Sequence, residues 1–66
     1  MLLDRIAVIT VMAKRDLTIA ELSNISTVSI STIGAARCGR SITKNSALRI
    51  ATALGVSLDE LTEKGD

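Results

Sequence analysis

Residues 18–39 read TIAELSNISTVSISTIGAARCG, a stretch that contains the start of two helices and the end of one. Thr18 precedes Glu21 by three residues, which is the spacing of a capping box at a helix N-terminus. Ser29 can cap a second helix. Gly39 can adopt the left-handed backbone conformation that often ends a helix. The stretch therefore predicts two short helices joined by a turn, although the Ser, Thr and Ile content of the second also permits a strand.

The apolar and small residues of this stretch fit two helices that cross steeply over a short turn. Such a crossing needs apolar side chains that face the core and small side chains where the helices touch. The matching positions are Leu22, Ser23, Val28, Ser29, Ile33 and Ala36. We therefore predict a helix-turn-helix at about 18–39.

The segments on either side also have helical patterns. A first helix is predicted at about 3–15, and Thr43 caps another that runs to about Leu54. The predicted inner face of that helix consists of Leu48, Ile50, Ala51 and Leu54. Ser57 and Glu60 form a second capping-box pattern before a short last helix.

The expected fold is all-α, a compact domain of four to five helices. A chain of 66 residues makes one domain, which we assign to residues 1–66 with a short acidic tail at 62–66. No apolar run is long enough to span a bilayer, and residues 2–13 do not form a signal peptide. We expect no membrane partner and a cytoplasmic location.

The composition argues against several classes of site. The chain has no histidine, no aromatic residue and one cysteine, Cys38. One cysteine without histidine builds neither a zinc site nor a Cys–His nucleophile pair, so we expect no metal, no cofactor and no enzyme. Most single-strand and RNA-binding modules use aromatic stacking platforms, which this chain lacks.

Charge is distributed unevenly although the net charge is only +1. Residues 22–58 contain no acidic residue and four basic ones. These four are Arg37, Arg40, Lys44 and Arg49. A basic middle segment is either a footprint for a polyanion or a solvated surface.

Two stretches resemble a known family. The first comprises Thr18-Ile-Ala-Glu-Leu-Ser23, Val28-Ser-Ile-Ser-Thr-Ile33 and Gly39, and the second is Ile50-Ala-Thr-Ala-Leu-Gly-Val-Ser-Leu-Asp-Glu-Leu61. Together they resemble the phage lambda repressor/Cro-like (XRE) helix-turn-helix family over about residues 8–61. The resemblance implies a five-helix fold that binds double-stranded DNA with its third helix in the major groove, as a homodimer on paired half-sites.

The resemblance also implies which residues meet DNA. The positions expected to face base edges are Ile30, Ser31, Thr32 and Ala35. Those expected to meet phosphates are Thr18, Ser29, Arg37, Arg40, Ser41, Thr43 and Lys44. The chain departs from the family pattern at Ile19, where Gln is usual, and at Thr27, where Gly is usual in the turn. The outer face of the third helix also has no long polar side chain.

The first helix carries apolar residues on both sides. Aligned on the family, its core side holds Val8 and Val11, and Leu17 follows on the same side. The opposite side holds Leu2, Ile6, Ile9 and Ala13. Either a second chain covers that side or the alignment is shifted by one residue. The candidate partner or dimer surface consists of Leu2, Ile6 and Ile9, and of Leu58 and Leu61 on the last helix.

Two functions stay open at this point. One is a sequence-specific transcriptional regulator of phage or prophage type, which binds duplex DNA through the third helix and the basic loop after it. The other is a protein-interaction module on the same scaffold. Such an anti-repressor or modulator binds a partner repressor through the first helix, with or without DNA.

Overall fold

The structure, a computed structural model, describes residues 1–62 of the chain. Its five helices are α1 (Arg5–Lys14), α2 (Ile19–Ser26), α3 (Ile30–Arg37), α4 (Lys44–Leu54) and α5 (Leu58–Leu61). The prediction of an all-α domain is confirmed, and α3 is a helix rather than a strand. Apart from Thr62, the predicted acidic tail lies outside the described residues.

Side-chain caps start the first four helices. The Ile6 N–H donates to Asp4 Oδ1 at 3.0 Å, so α1 begins two residues later than predicted. In α2 the Glu21 N–H donates to Thr18 Oγ1 at 3.1 Å, and the Thr18 N–H donates to Glu21 Oε1 at 3.0 Å. This reciprocal pair is the predicted capping box. The predicted caps of α3 and α4 are also present, with Ser29 Oγ and Thr43 Oγ1 each accepting a backbone N–H at 3.2 Å.

One aliphatic core joins the helices. Its largest fully buried side chains are Val8, Leu22, Ile33, Ile50, Leu54 and Leu61. Helix α2 packs against α3 and α4, α1 against α3 and α5, and α4 against α5. Every helix thus contributes to the core, which holds α3 against the body of the domain through Ile33 and Ala36.

One predicted core residue of α4 is exposed. Leu48 has 44% of its surface exposed, while Ala47 is fully buried. Residues on a helix are separated by about 100°, so Ala47 shares a face with Ile50 and Leu54. Leu48 follows Ala47 and therefore lies about 100° away from it around the helix axis. Its assignment to the inner face was wrong.

The start of the chain packs against the end of α5. Leu3 is buried and forms an antiparallel bridge with Thr62, and the Asp4 N–H donates to the Leu61 carbonyl oxygen at 2.6 Å. Leu61 is 0% exposed within this packing. Its assignment to a partner surface is therefore corrected, because its side chain fills the core of its own domain. Leu58 is half-buried.

Helix α1 has one buried and one exposed apolar side. Val8 lies in the core as the family alignment predicts, and Met12 is its buried neighbour one turn later. Ile6 is 57% exposed and Leu2, which precedes the helix, is 51% exposed. Val11, which was assigned to the core side, is half-buried, and so is Ile9, which was assigned to the opposite side. None of the helices in residues 1–62 is long and apolar enough to cross a membrane.

Candidate nucleic-acid interface

The turn between α2 and α3 is fixed by two serines of α2. Val28 is buried in the turn, and its N–H donates to Ser26 Oγ at 3.3 Å. Its carbonyl oxygen accepts from Ser23 Oγ at 2.6 Å. A buried backbone group without a partner is costly, and both polar groups of Val28 are satisfied here. The serines thereby set the direction in which α3 leaves α2.

Thr27 occupies the position where the family pattern has glycine. Its backbone is left-handed, with φ 59° and ψ 22°. This conformation is strained for a β-branched residue. Arg49 Nη1 of α4 donates to Thr27 Oγ1 at 2.8 Å, which ties the turn to α4. Arg49, one of the four basic residues in segment 22–58, is thus engaged in holding the turn.

The side of α3 that faces away from the core is exposed and carries mostly small side chains. Ile33 and Ala36 are fully buried, and Ile30 at the first turn is 56% exposed. Ser31 is exposed, whereas Thr32 and Ala35 are half-buried. The predicted base-facing residues therefore lie on the side of α3 that is accessible to a ligand.

A shallow groove runs between α3 and the loop that follows it. It is lined by Ser31, Thr32, Ala35, Ser41, Ile42, Thr43 and Ser46. Five of these residues had been predicted to meet DNA, three as base-facing and two as phosphate-binding. The structure thus brings five of the eleven predicted contacts together along one surface, which we call the hydroxyl groove, and Ile30 does not line it. Ile42 and Ser46 were missed by the sequence analysis, and the Thr-x-x-Ser cap of α4 was the signal for Ser46.

The loop wall of the hydroxyl groove is held in place by the end of α3 and by the start of the chain. The Arg40 N–H donates to the Ala35 carbonyl oxygen of α3 at 2.8 Å. The Ile42 N–H donates to the Met1 carbonyl oxygen at 2.8 Å, and the Met1 nitrogen donates to the Ile42 carbonyl oxygen at 2.7 Å. Ile42 is only 7% exposed. The loop is therefore part of the packed domain.

Basic side chains lie around the C-terminal end of α3. Arg40 and Lys44 are exposed beside the hydroxyl groove. Arg5 was missed by the sequence analysis: a Cβ atom added to Gly39 would lie 3.7 Å from Arg5 Cδ, so this side chain passes over the end of α3. Arg37 is half-buried.

A second groove holds the other predicted phosphate contacts. Arg37 and Thr18 line it together with Ile19 and Ala20 at the N-terminus of α2. Arg37 Nε is buried and has no hydrogen-bond partner among residues 1–62. The remaining predicted residue, Ser29, uses its hydroxyl to cap α3. Apart from Ser29, the phosphate candidates thus fall at two places, the segment 40–44 after α3 and the groove lined by Thr18 and Arg37.

Metal-binding groups are not assembled in the described part of the chain. No cluster of three or more His, Cys, Asp or Glu residues within 1–62 could hold a metal ion. Cys38 is exposed at the end of α3.

The candidate partner surface is only partly accessible. Leu2 and Ile6 are exposed and Ile9 is half-buried. The sequence analysis missed a second apolar surface, where Ile25 of α2 and Leu48 of α4 are 56% and 44% exposed. These two residues line a shallow groove together with Arg49.

Comparisons with protein-family models, with curated proteins and with solved structures found no match to this chain. The functional proposal rests on the hydroxyl groove, on the groove lined by Thr18 and Arg37, and on the basic side chains around them.

Proposed function

We propose that this chain binds duplex DNA and acts as a transcriptional regulator of the Cro/repressor type. The observation that carries the proposal is the hydroxyl groove. It combines the exposed side of α3 with the loop residues Ser41, Ile42 and Thr43, inside a segment, 22–58, that has no acidic residue. An α-helix fits the major groove of B-DNA, and hydroxyl and basic side chains are the usual donors to phosphates. Such a regulator acts in the cytoplasm as a homodimer on paired half-sites.

Phosphate contacts on both sides of α3 would fix its position in the groove. On one side stand Arg40 and Lys44, whose exposed side chains can approach the DNA backbone. On the other side the N-terminus of α2 lies beside Arg37, and the first backbone N–H groups of a helix have no partner within the helix. Base contacts then specify the sequence from within this frame.

The experiment that tests the proposal is duplex binding as a function of salt. A pool of random duplexes is selected on the protein at 50 mM salt or below, and the affinity of the enriched duplex is measured by fluorescence anisotropy. Each neutralised phosphate adds about 0.9 to the negative slope of log K against log salt concentration. We expect a steep negative slope. Absence of binding at low ionic strength, or binding that salt does not change, would contradict the proposal.

A pair of double variants locates the phosphate contacts. Arg40→Ala with Lys44→Ala should weaken all duplexes alike and reduce the salt slope by about 2, because each removes one phosphate contact. The matched control is Lys14→Ala with Arg15→Ala, which removes the same charge from the end of α1. The control should keep the wild-type salt slope. Equal effects of both pairs would indicate a response to net charge alone.

The exposed side of α1 supports a second candidate function, the protein-interaction module. Ile6 at 57% and Leu2 at 51% exposure form an apolar surface on the α1 side of the domain. A partner repressor or a second copy could cover it. Ile6→Asp should then abolish the complex, seen by sedimentation, without changing the circular dichroism of the chain. A complex that survives Ile6→Asp would exclude this surface as its interface.

A further inference from the structure

The outer face of α3 offers methyl groups in place of long polar side chains. Between Ile25 and Ala36 the sequence has no Arg, Lys, Asn or Gln. Bidentate recognition of guanine or adenine in the major groove uses one of these four side chains. In their place Ile30 stands 56% exposed at the first turn of α3, and Ala35 lines the hydroxyl groove.

The hydroxyls of α3 do not fully replace those side chains. Thr32 Oγ1 lies 2.9 Å from Ser29 Oγ, and the Thr32 N–H donates to the same Ser29 Oγ at 3.2 Å. This pair is engaged in capping the helix. Ser31 is left as the exposed hydroxyl of the face. Recognition by α3 therefore has to use apolar contact as well as hydrogen bonds.

Short side chains allow α3 to approach a surface closely. Gly34 lies on the same side of the helix as Ser31 and Ala35, since residues are separated by about 100°. A Cβ atom added to Gly34 would have no heavy atom within 4 Å, so this side is open. Ile30 is then the longest side chain at the exposed face of the first turn of α3.

We infer that α3 recognises the C5-methyl groups of thymine through apolar contacts from Ile30 and Ala35. The inference rests on the proposed DNA binding and names the feature of the DNA that α3 reads. Thymine is distinguished in the major groove by this methyl group, which apolar side chains contact. The exposed, positively charged side chains of Arg40 and Lys44 near this face match the negative charge of a phosphate backbone better than they match an apolar protein surface. The operator half-sites are accordingly A·T-containing.

Replacement of thymine by deoxyuridine tests the inference without any protein variant. The change removes the C5-methyl group and keeps the base pair. In the duplex enriched from the random pool, each half-site thymine is replaced in turn and the dissociation constant is measured at fixed salt. We expect a rise of about fourfold for each contacted methyl, from the transfer free energy of one such group.

Substitution of Ile30 identifies the side chain that makes the contact. Ile30→Ala should weaken binding to the thymine duplex and remove most of the difference between thymine and uracil at one position. The matched control is Ile25→Ala, because Ile25 has the same 56% exposure but lies on α2, in the groove with Leu48 and Arg49. Ile25→Ala should keep the full thymine–uracil difference.

The possible failures are distinguishable. Equal affinities of the thymine and uracil duplexes would overturn the inference while DNA binding stands. A thymine preference that Ile30→Ala leaves unchanged at every position would overturn the contact assigned to Ile30, because Ala35 or another residue would then make it. If no duplex binds at low salt, or if Ile30 proves to bind a protein, the proposed function fails and the inference fails with it.

Discussion

Thr27 shows how a β-branched residue can hold the left-handed backbone of a turn. Its φ of 59° is left-handed, where a Cβ atom raises the energy by about 1 kcal/mol. We therefore expect Thr27→Gly to be more stable than Thr27→Ala by about that amount. Both variants lose the hydrogen bond from Arg49, so their difference isolates the backbone strain. Urea unfolding measures it, and an equal or higher stability of Thr27→Ala would contradict the left-handed turn.

The serines of α2 mark the limit of prediction at the residue scale. Ser23 was predicted as a small contact residue from its position, and the apolar positions Leu22 and Val28 were predicted as core. Leu22 is buried because helical spacing fixes which side of α2 faces inward, and Val28 is buried in the turn that follows. The hydrogen bonds from Ser23 and to Ser26 were not predictable, because they depend on where the Val28 backbone lies after the turn has closed.

Helix α3 illustrates the same limit for an element. Its Ser, Thr, Ile and Gly residues are poor helix formers, so propensity alone permitted a strand. The cap at Ser29, the left-handed Gly39 and the burial of Ile33 and Ala36 favour the helix together. Tertiary packing rather than local preference therefore stabilises α3.

Because α3 is weak by propensity, a better helix former at an open position should stabilise it. Gly34→Ala adds a Cβ atom that meets nothing within 4 Å, and we expect a gain of about 1 kcal/mol and a rise in Tm of about 4–8 °C. Gly55→Ala is the contrasting control. Its φ is +72° and its added Cβ would lie 2.8 Å from Arg15 Nη2, so this variant should lose stability. Thermal unfolding compares the two, and a Gly34→Ala variant no more stable than wild type would contradict the open site.

The hydroxyl groove could be predicted only in part from the sequence. The resemblance placed Ser31, Thr32 and Ala35 on one element and Ser41 and Thr43 on the next. That these residues line one groove depends on Ile42, which the Met1 backbone holds from the far end of the chain. Contacts between segments forty residues apart leave no periodic signal in a sequence.

At the scale of the whole molecule, the core is small, and the surface has a segment without acidic residues and a separate stretch with exposed apolar residues. Aliphatic residues and Met12 fill the core, and a chain of this size has a free energy of unfolding of about 3–10 kcal/mol. The acid-free segment 22–58 carries the hydroxyl groove, whereas the apolar residues Leu2 and Ile6 lie at the start of the chain. These two surfaces meet where Met1 pairs with Ile42 of the groove, so a protein partner bound at Leu2 would lie next to the proposed DNA surface.

Two leucines of α4 show how closely binding depends on this small core. Leu54 is 0% exposed, and Leu54→Ala should lower the free energy of unfolding by about 2–5 kcal/mol, much of the total. Leu48 is 44% exposed on the same helix, and Leu48→Ala should change it by about 0.5 kcal/mol. Duplex affinity measured across a urea titration should fall with the folded fraction of Leu54→Ala and stay near wild type for Leu48→Ala. If Leu48→Ala unfolds the chain as readily, Leu48 belongs to the core after all, and the packing of α4 against α2 has to be revised.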